Sequence, residues 1–86
     1  MSSVGTGKKQ IQAQLKKMKF RTTRESCDYI LSAGSRYGGL WCEETKTAAF
    51  EGRDFGEFRT WKAAKKVLME ASAEEYLVDK YRESLR

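Results

Sequence analysis

Apolar positions recur at helical spacing near both ends of the chain and at strand spacing between them. From Lys8 onward, Ile11, Leu15 and Met18 fall at i, i+4 and i+7, one narrow stripe, with Lys8, Lys9, Lys16 and Lys19 lying round from it. Three apolar residues stabilise a helix only weakly, so this stripe needs a surface to dock on, either in this domain or on a partner. The spacing predicts a basic amphipathic helix over residues 8–20. Residues 1–7, MSSVGTG, have almost nothing to bury and are expected to be mobile.

At Cys27 the pattern changes to strands. CDYILSA is short and β-prone, and the glycine-rich GSRYGG after it reads as a turn. LWCEE and TAAFEG read as two further strands joined by a two-residue turn at Thr45-Lys46. The expected result is a three-stranded antiparallel meander over residues 27–52. That turn would pair Trp41 with Phe50 and Cys42 with Ala49. Trp41, Phe50 and Ile30 would then share one face, and Tyr29, Leu31, Leu40 and Cys42 the other. With both faces apolar, each is expected to be covered by a helix, one from each end of the chain.

RDFGE reads as a loop, and FRTWKAAKKVLMEA after it as a helix with Thr60 as N-cap. Trp61, Ala64, Leu68 and Ala71 recur on one face, and Leu77, Tyr81 and Leu85 continue a stripe beyond them. Ser72-Ala-Glu-Glu75 matches a capping box and would start a second helix there; one bent helix over residues 60–85 fits the pattern nearly as well. The fold class is therefore α+β: a three-stranded antiparallel meander packed with an N-terminal amphipathic helix and one or two C-terminal helices, a single small domain over residues 8–86.

Charge changes this picture. Residues 1–25 hold seven basic side chains against one acid, while the remainder is nearly balanced, so the net charge of +5 arises wholly at the N-terminus. Such asymmetry points towards a polyanionic partner, against the plainer reading that it serves solubility. The chain has no apolar run long enough to span a bilayer and no signal-peptide pattern at its start, which makes a cytoplasmic setting the expectation (host cytoplasm if phage-encoded).

Two cysteines and no histidine fall short of the four ligands of a structural zinc site, and a cysteine nucleophile would lack its usual base. Cys27 and Cys42 are expected to be reduced and half-buried rather than paired. The adjacent acids at Glu43-Glu44 and Glu74-Glu75 point to different sides of their elements, and no phosphate-binding glycine loop is present. No catalytic site, metal or cofactor is expected.

The stretch Gly39-Leu-Trp41, then Phe50-Glu-Gly52, then Gly56-Glu-Phe58-Arg-Thr60-Trp-Lys-Ala-Ala64 resembles the AP2-type and integrase arm-binding DNA domains over residues 27–71. Gly56, Phe58, Thr60 and Ala64 fit that family's entry into its helix, and Trp41 stands where it carries a strand tryptophan. The resemblance implies a three-stranded sheet on one helix whose open face enters the DNA major groove. Here that face would offer Arg36, Tyr37 and Lys46, with Glu43 and Glu44 where basic residues are expected.

Two functions remain in view. In the first, a small basic module grips DNA or RNA phosphate through Lys8, Lys9, Lys16, Lys17, Lys19, Arg21 and Arg24, joined by Lys62, Lys65 and Lys66, with Tyr37 and Trp41 as possible stacking platforms. In the second, a phage or mobile-element adaptor or inhibitor lays Ile11, Leu15 and Met18 into a groove of a host protein or nucleoprotein complex. Insertion into a membrane is not expected, because the basic segment offers too little apolar surface. Oligomeric state is left open.

Overall fold

The computed structural model describes residues 8–34 and 36–85; the N-terminal segment expected to be mobile lies outside them. In chain order the elements are α1 (Lys8–Lys17), β1 (Arg21–Glu25), β2 (Asp28–Ala33), β3 (Tyr37–Cys42), β4 (Thr47–Phe50), β5 (Arg53–Glu57) and α2 (Trp61–Ser84). The strands form one antiparallel sheet in the order β1-β2-β3-β4-β5.

Five strands and two helices overturn the three-stranded meander, and with it the likeness to the AP2-type and integrase arm-binding fold. The two additional strands lie at the edges, which is why their sequences conceal them. β1, RTTRE, contains no apolar residue and is exposed along its whole length, so it has no buried face to produce alternation. Its threonines favour extended backbone, and its charges suit an edge that must not pair with another chain. β5, RDFGE, carries a glycine and faces a register shift at Ala48/Ala49, a bulge that breaks the period of two.

The centre of the sheet also differs in register. The β3–β4 connection takes four residues, with Lys46 at φ 62° and its N–H donating to Cys42 O at 2.7 Å. Trp41 therefore pairs with Ala48, Cys42 with Thr47 and Leu40 with Ala49, instead of the pairings a two-residue turn would impose. Tyr29 stands opposite Trp41, and Leu31 opposite Gly39. Tyr29, Leu31, Trp41, Ala48 and Phe50 consequently share one face, and Ile30, Leu40, Cys42 and Ala49 the other. The two-residue shift between β3 and β4 leaves Trp41 and Phe50 on one face as expected. The exchange of Ile30 for Tyr29 and Leu31 beside them comes from the β2–β3 register, which differs from the expected one by an odd number of residues.

Among the described residues only the first face is covered by a helix. α2 lies across β2, β3 and β4, whereas α1 packs along α2 and leaves the second face open. Leu40 on that open face is 43% exposed. Leu31, Trp41, Phe50 and Leu68 form the centre of the core with Ala48, Ala64 and Ala71. Burying each of the four large side chains contributes roughly 1.5–3 kcal/mol.

α2 begins where Thr60 accepts a hydrogen bond from the Ala63 N–H at 3.3 Å. It runs unbroken through Ser72, which does not cap a second helix. Ser72 is fully buried, and its hydroxyl donates to Gly38 O at 3.0 Å, so it fastens the helix to β3. The contact exists because β3 contains Gly38-Gly39, both at strongly positive φ (144° and 141°). A Cβ on Gly39 would lie 2.8 Å from a Leu68 methyl and 2.9 Å from Ala49 O. Strand and helix thus approach closely at the one place where no side chain separates them.

Gly39→Ala should therefore cost about 3 kcal/mol, combining overpacking with a backbone conformation reserved for glycine. Gly52→Ala, at φ 77° with open space around it, should cost only about 1 kcal/mol. Urea denaturation of the two variants measures the difference; equal losses would show that the strand–helix seat is not close-packed.

Candidate nucleic-acid interface

α1 turns its apolar stripe inward. Ile11, Leu15 and Met18 are half-buried and Gln14 is buried, where the helix rests on α2. Lys8, Lys9, Lys16, Lys17 and Lys19 are all exposed. Among the described residues none of the five has an ion-pair partner. Lys8, Lys9 and Lys16 line one shallow groove with Gln12 and Ala13 along the outward side of the helix. α1 contains no acid, so its first turn carries two lysines at the end of the helix dipole that favours negative charge.

The other basic residues divide. Arg21 is exposed on β1, and Lys62 and Lys66 are exposed near the start of α2, with Lys65 half-buried beside them. Arg24 is committed elsewhere. One of its terminal nitrogens pairs with Glu43, the other donates to Tyr29 Oη at 2.8 Å, and its guanidinium lies 4.6 Å from the Tyr29 ring centroid. It serves as a clamp between β1, β2 and the start of the β3–β4 turn, and is not a free cation.

Trp41 presents no free ring, and Tyr37 presents only the part of its ring that lines a pocket. Trp41 is 2% exposed and its indole N–H donates to Phe58 O at 3.1 Å. It sits in an aromatic cluster with Tyr29 and Trp61, the latter two stacked at 5.1 Å. This removes Trp41 as a base platform. Tyr37 is half-buried, with its ring edge-to-face with Tyr76 and with Arg36 over it.

Tyr37 belongs to an assembly with no signature in the sequence. Its hydroxyl donates to Asp79 Oδ2 at 2.8 Å, the same carboxylate oxygen that Arg36 meets at 3.2 Å. Arg82 approaches the other oxygen at 4.0 Å. The partners are 42 positions apart, so only the fold joins them. Beside this network lies a pocket of about 300 Å³ walled by Met18, Ala33, Tyr37 and Tyr76, with Lys19 and Arg36 among its lining residues. It sits where the end of α1 meets the β2–β3 turn and α2.

At the opposite end of the sheet, Cys27 and Cys42 are both half-buried free thiols with sulfurs 3.7 Å apart. The Thr45 amide and hydroxyl and the Glu44 amide surround Cys42 and draw its pKa below the ordinary thiol value. Cys27 moves the other way, raised first by its hydrogen bond with Cys42 and then by burial and neighbouring negative charge. Cys42 is thus the more acidic member of the pair.

Among the described residues no helix is long and apolar enough to cross a membrane. The chain matches no family model, and no curated protein or solved structure matches it either.

Burial, followed by the hydrogen bond to Asp79, pushes the Tyr37 phenol up from 10 to about 12. Ultraviolet titration should show one of the four tyrosines ionising late, and Tyr37→Phe should remove that step. Because the fold favours the neutral phenol, its stabilising contribution is complete below pH 10 and is lost as pH rises from there through about 12. A titration with no late tyrosine would contradict the Tyr37–Asp79 hydrogen bond.

Proposed function

We propose that this protein binds nucleic acid, holding phosphates on the outward face of α1. The observation that carries this reading is the division of that helix. Its apolar stripe packs on α2, while its four lysines, with Lys19 just beyond its end, are exposed and have no acidic partner among the described residues. A cation row of this kind attracts a polyanion by releasing condensed counterions, with no need to read base sequence. The missing acids in the first turn add to the preference, since a phosphate there meets lysine charge at the end of the helix dipole that favours anions.

The pocket beyond Met18 gives the reading a direction. A strand following α1 from Lys8 towards Lys19 reaches the Tyr37–Tyr76 wall, where apolar surface lies beside Lys19 and beside Arg36, itself paired with Asp79. That combination suits an unstacked base attached to its phosphate, and so favours a single strand over a duplex. The open sheet face is a poorer candidate. Glu25, Asp28, Asp54 and Glu57 fall on it or its edges by register, opposing phosphate approach.

The alternative, in which α1 lays Ile11, Leu15 and Met18 into a protein groove, requires the helix to leave α2 first. The burial of Gln14 and the half-burial of the stripe weigh against it.

Fluorescence anisotropy with single-stranded DNA, single-stranded RNA and duplex probes at several salt concentrations tests the proposal. Four or five phosphate contacts predict a log K against log salt slope of about −3 to −4.5. Lys16→Glu with Lys17→Glu should abolish most of the affinity without altering the far-ultraviolet spectrum. Tyr76→Ala should weaken single-strand binding by roughly 1–3 kcal/mol and leave duplex binding little changed. Affinity weaker than about 10⁻⁴ M near physiological salt, below ordinary non-specific binding, would overturn the reading.

A further inference from the structure

We propose that Cys27, Asp28 and Cys42 form a three-ligand site for a thiophilic divalent cation of the zinc class, with its fourth position open to solvent. The site lies on different elements from the lysine face and does not depend on nucleic-acid binding.

The backbone assembles these residues in two ways. Asp28 and Cys42 are directly paired across β2 and β3, so their side chains emerge side by side on the open face of the sheet. Cys27 is in the short β1–β2 connection, where its carbonyl accepts the Glu43 N–H at 2.7 Å. That bond holds the turn against the end of β3 and brings the Cys27 sulfur to 3.7 Å from that of Cys42. The Cys27 sulfur is also 3.8 Å from Asp28 Oδ1, and the three ligand atoms all lie within 4.8 Å of one another.

The Cys27–Cys42 and Cys27–Asp28 separations match metal coordination. Two thiolates bound tetrahedrally at about 2.3 Å stand about 3.75 Å apart, and a thiolate and a carboxylate oxygen on the same ion about 3.6 Å apart. A disulfide would need the sulfurs at about 2.05 Å. A cation could therefore enter with small rotations of three side chains and no movement of the sheet. The sulfurs are half-buried, so the site is reachable, and among the described residues no helix covers the fourth position. Two thiolates and a carboxylate suit zinc, or cobalt as its spectroscopic substitute, better than magnesium or calcium, which prefer all-oxygen shells. On binding, each thiol releases its proton to solvent, and the ion ties the β1–β2 turn to β3.

The experiment is a Co²⁺ titration of the full chain, reduced with a non-thiol reductant, followed by Zn²⁺ competition. Sulfur-to-cobalt charge-transfer bands and intense tetrahedral d–d bands should appear, saturate at one ion per chain and disappear when Zn²⁺ is added. Cys27→Ser and Cys42→Ser should each remove the two-thiolate spectrum. Asp28→Asn should retain thiolate bands but weaken binding by at least about tenfold, since even indirect partners of a metal ligand are worth that much. If either serine variant fails to fold, reversible methylthiolation of the wild-type thiols provides the same test, and reduction should restore binding. Thermal stability should rise with Zn²⁺ in the wild type and not in the blocked protein. No charge-transfer band at up to about 10⁻⁴ M Co²⁺ would overturn the proposal. One ion per two chains, insensitive to Asp28→Asn, would overturn it equally by showing four thiolates from two copies.

Discussion

The rest of the molecule depends on how closely α2 approaches β3. Gly39 removes the side chain that would hold helix and strand apart, and Leu68 fills the space over it. Ser72 bonds to the carbonyl of Gly38, whose own missing Cβ lets β3 lie against the Leu31 backbone of β2. Once that seat is set, Trp61 reaches the Tyr29–Trp41 pair at one end of the helix and Asp79 reaches Tyr37 at the other. α1 then has a helix to lie on, and its lysines are directed outward as a consequence. The presentation of charge is fixed by a contact between glycines and a leucine some distance from it.

Much of this arrangement was readable from residue order, and what was not has definite causes. The Thr60 cap, the Ala64–Leu68–Ala71 face and the burial of Trp41 follow from capping chemistry, helical spacing and side-chain size, all of which act locally. β1 and β5 escaped because edge strands need not bury anything, and a strand without a buried face has no alternation to detect. The register of β3 and β4 depended on the length of one turn, and Thr45-Lys46 resembles a two-residue connection although four residues are used. Ser72 matched a capping box but became a tether, since tertiary packing outweighs a local end signal.

For the candidate sites the division is similar. The lysine face was visible as composition and helical spacing. Arg24 looked like another member of it, and only the structure shows the arginine held by Glu43 and Tyr29. The grouping of Asp28 with the two thiols needed the pairing of β2 with β3, so counting cysteines and histidines alone could not reveal it. Asp79, Arg36 and Tyr37 join across a span that no periodicity connects.

Each strand of the sheet pairs only with its neighbours in sequence. That topology has a kinetic consequence. Hairpins of this size close on a microsecond scale, and a meander can grow by adding one hairpin to the last without any long loop being closed first. The Gly38–Ser72 junction is different, because the chain must bring together groups 34 positions apart. The rate-determining event in folding should then be the arrival of α2 on a partly formed sheet, making Gly39 and Leu68 part of the nucleus as well as of the core.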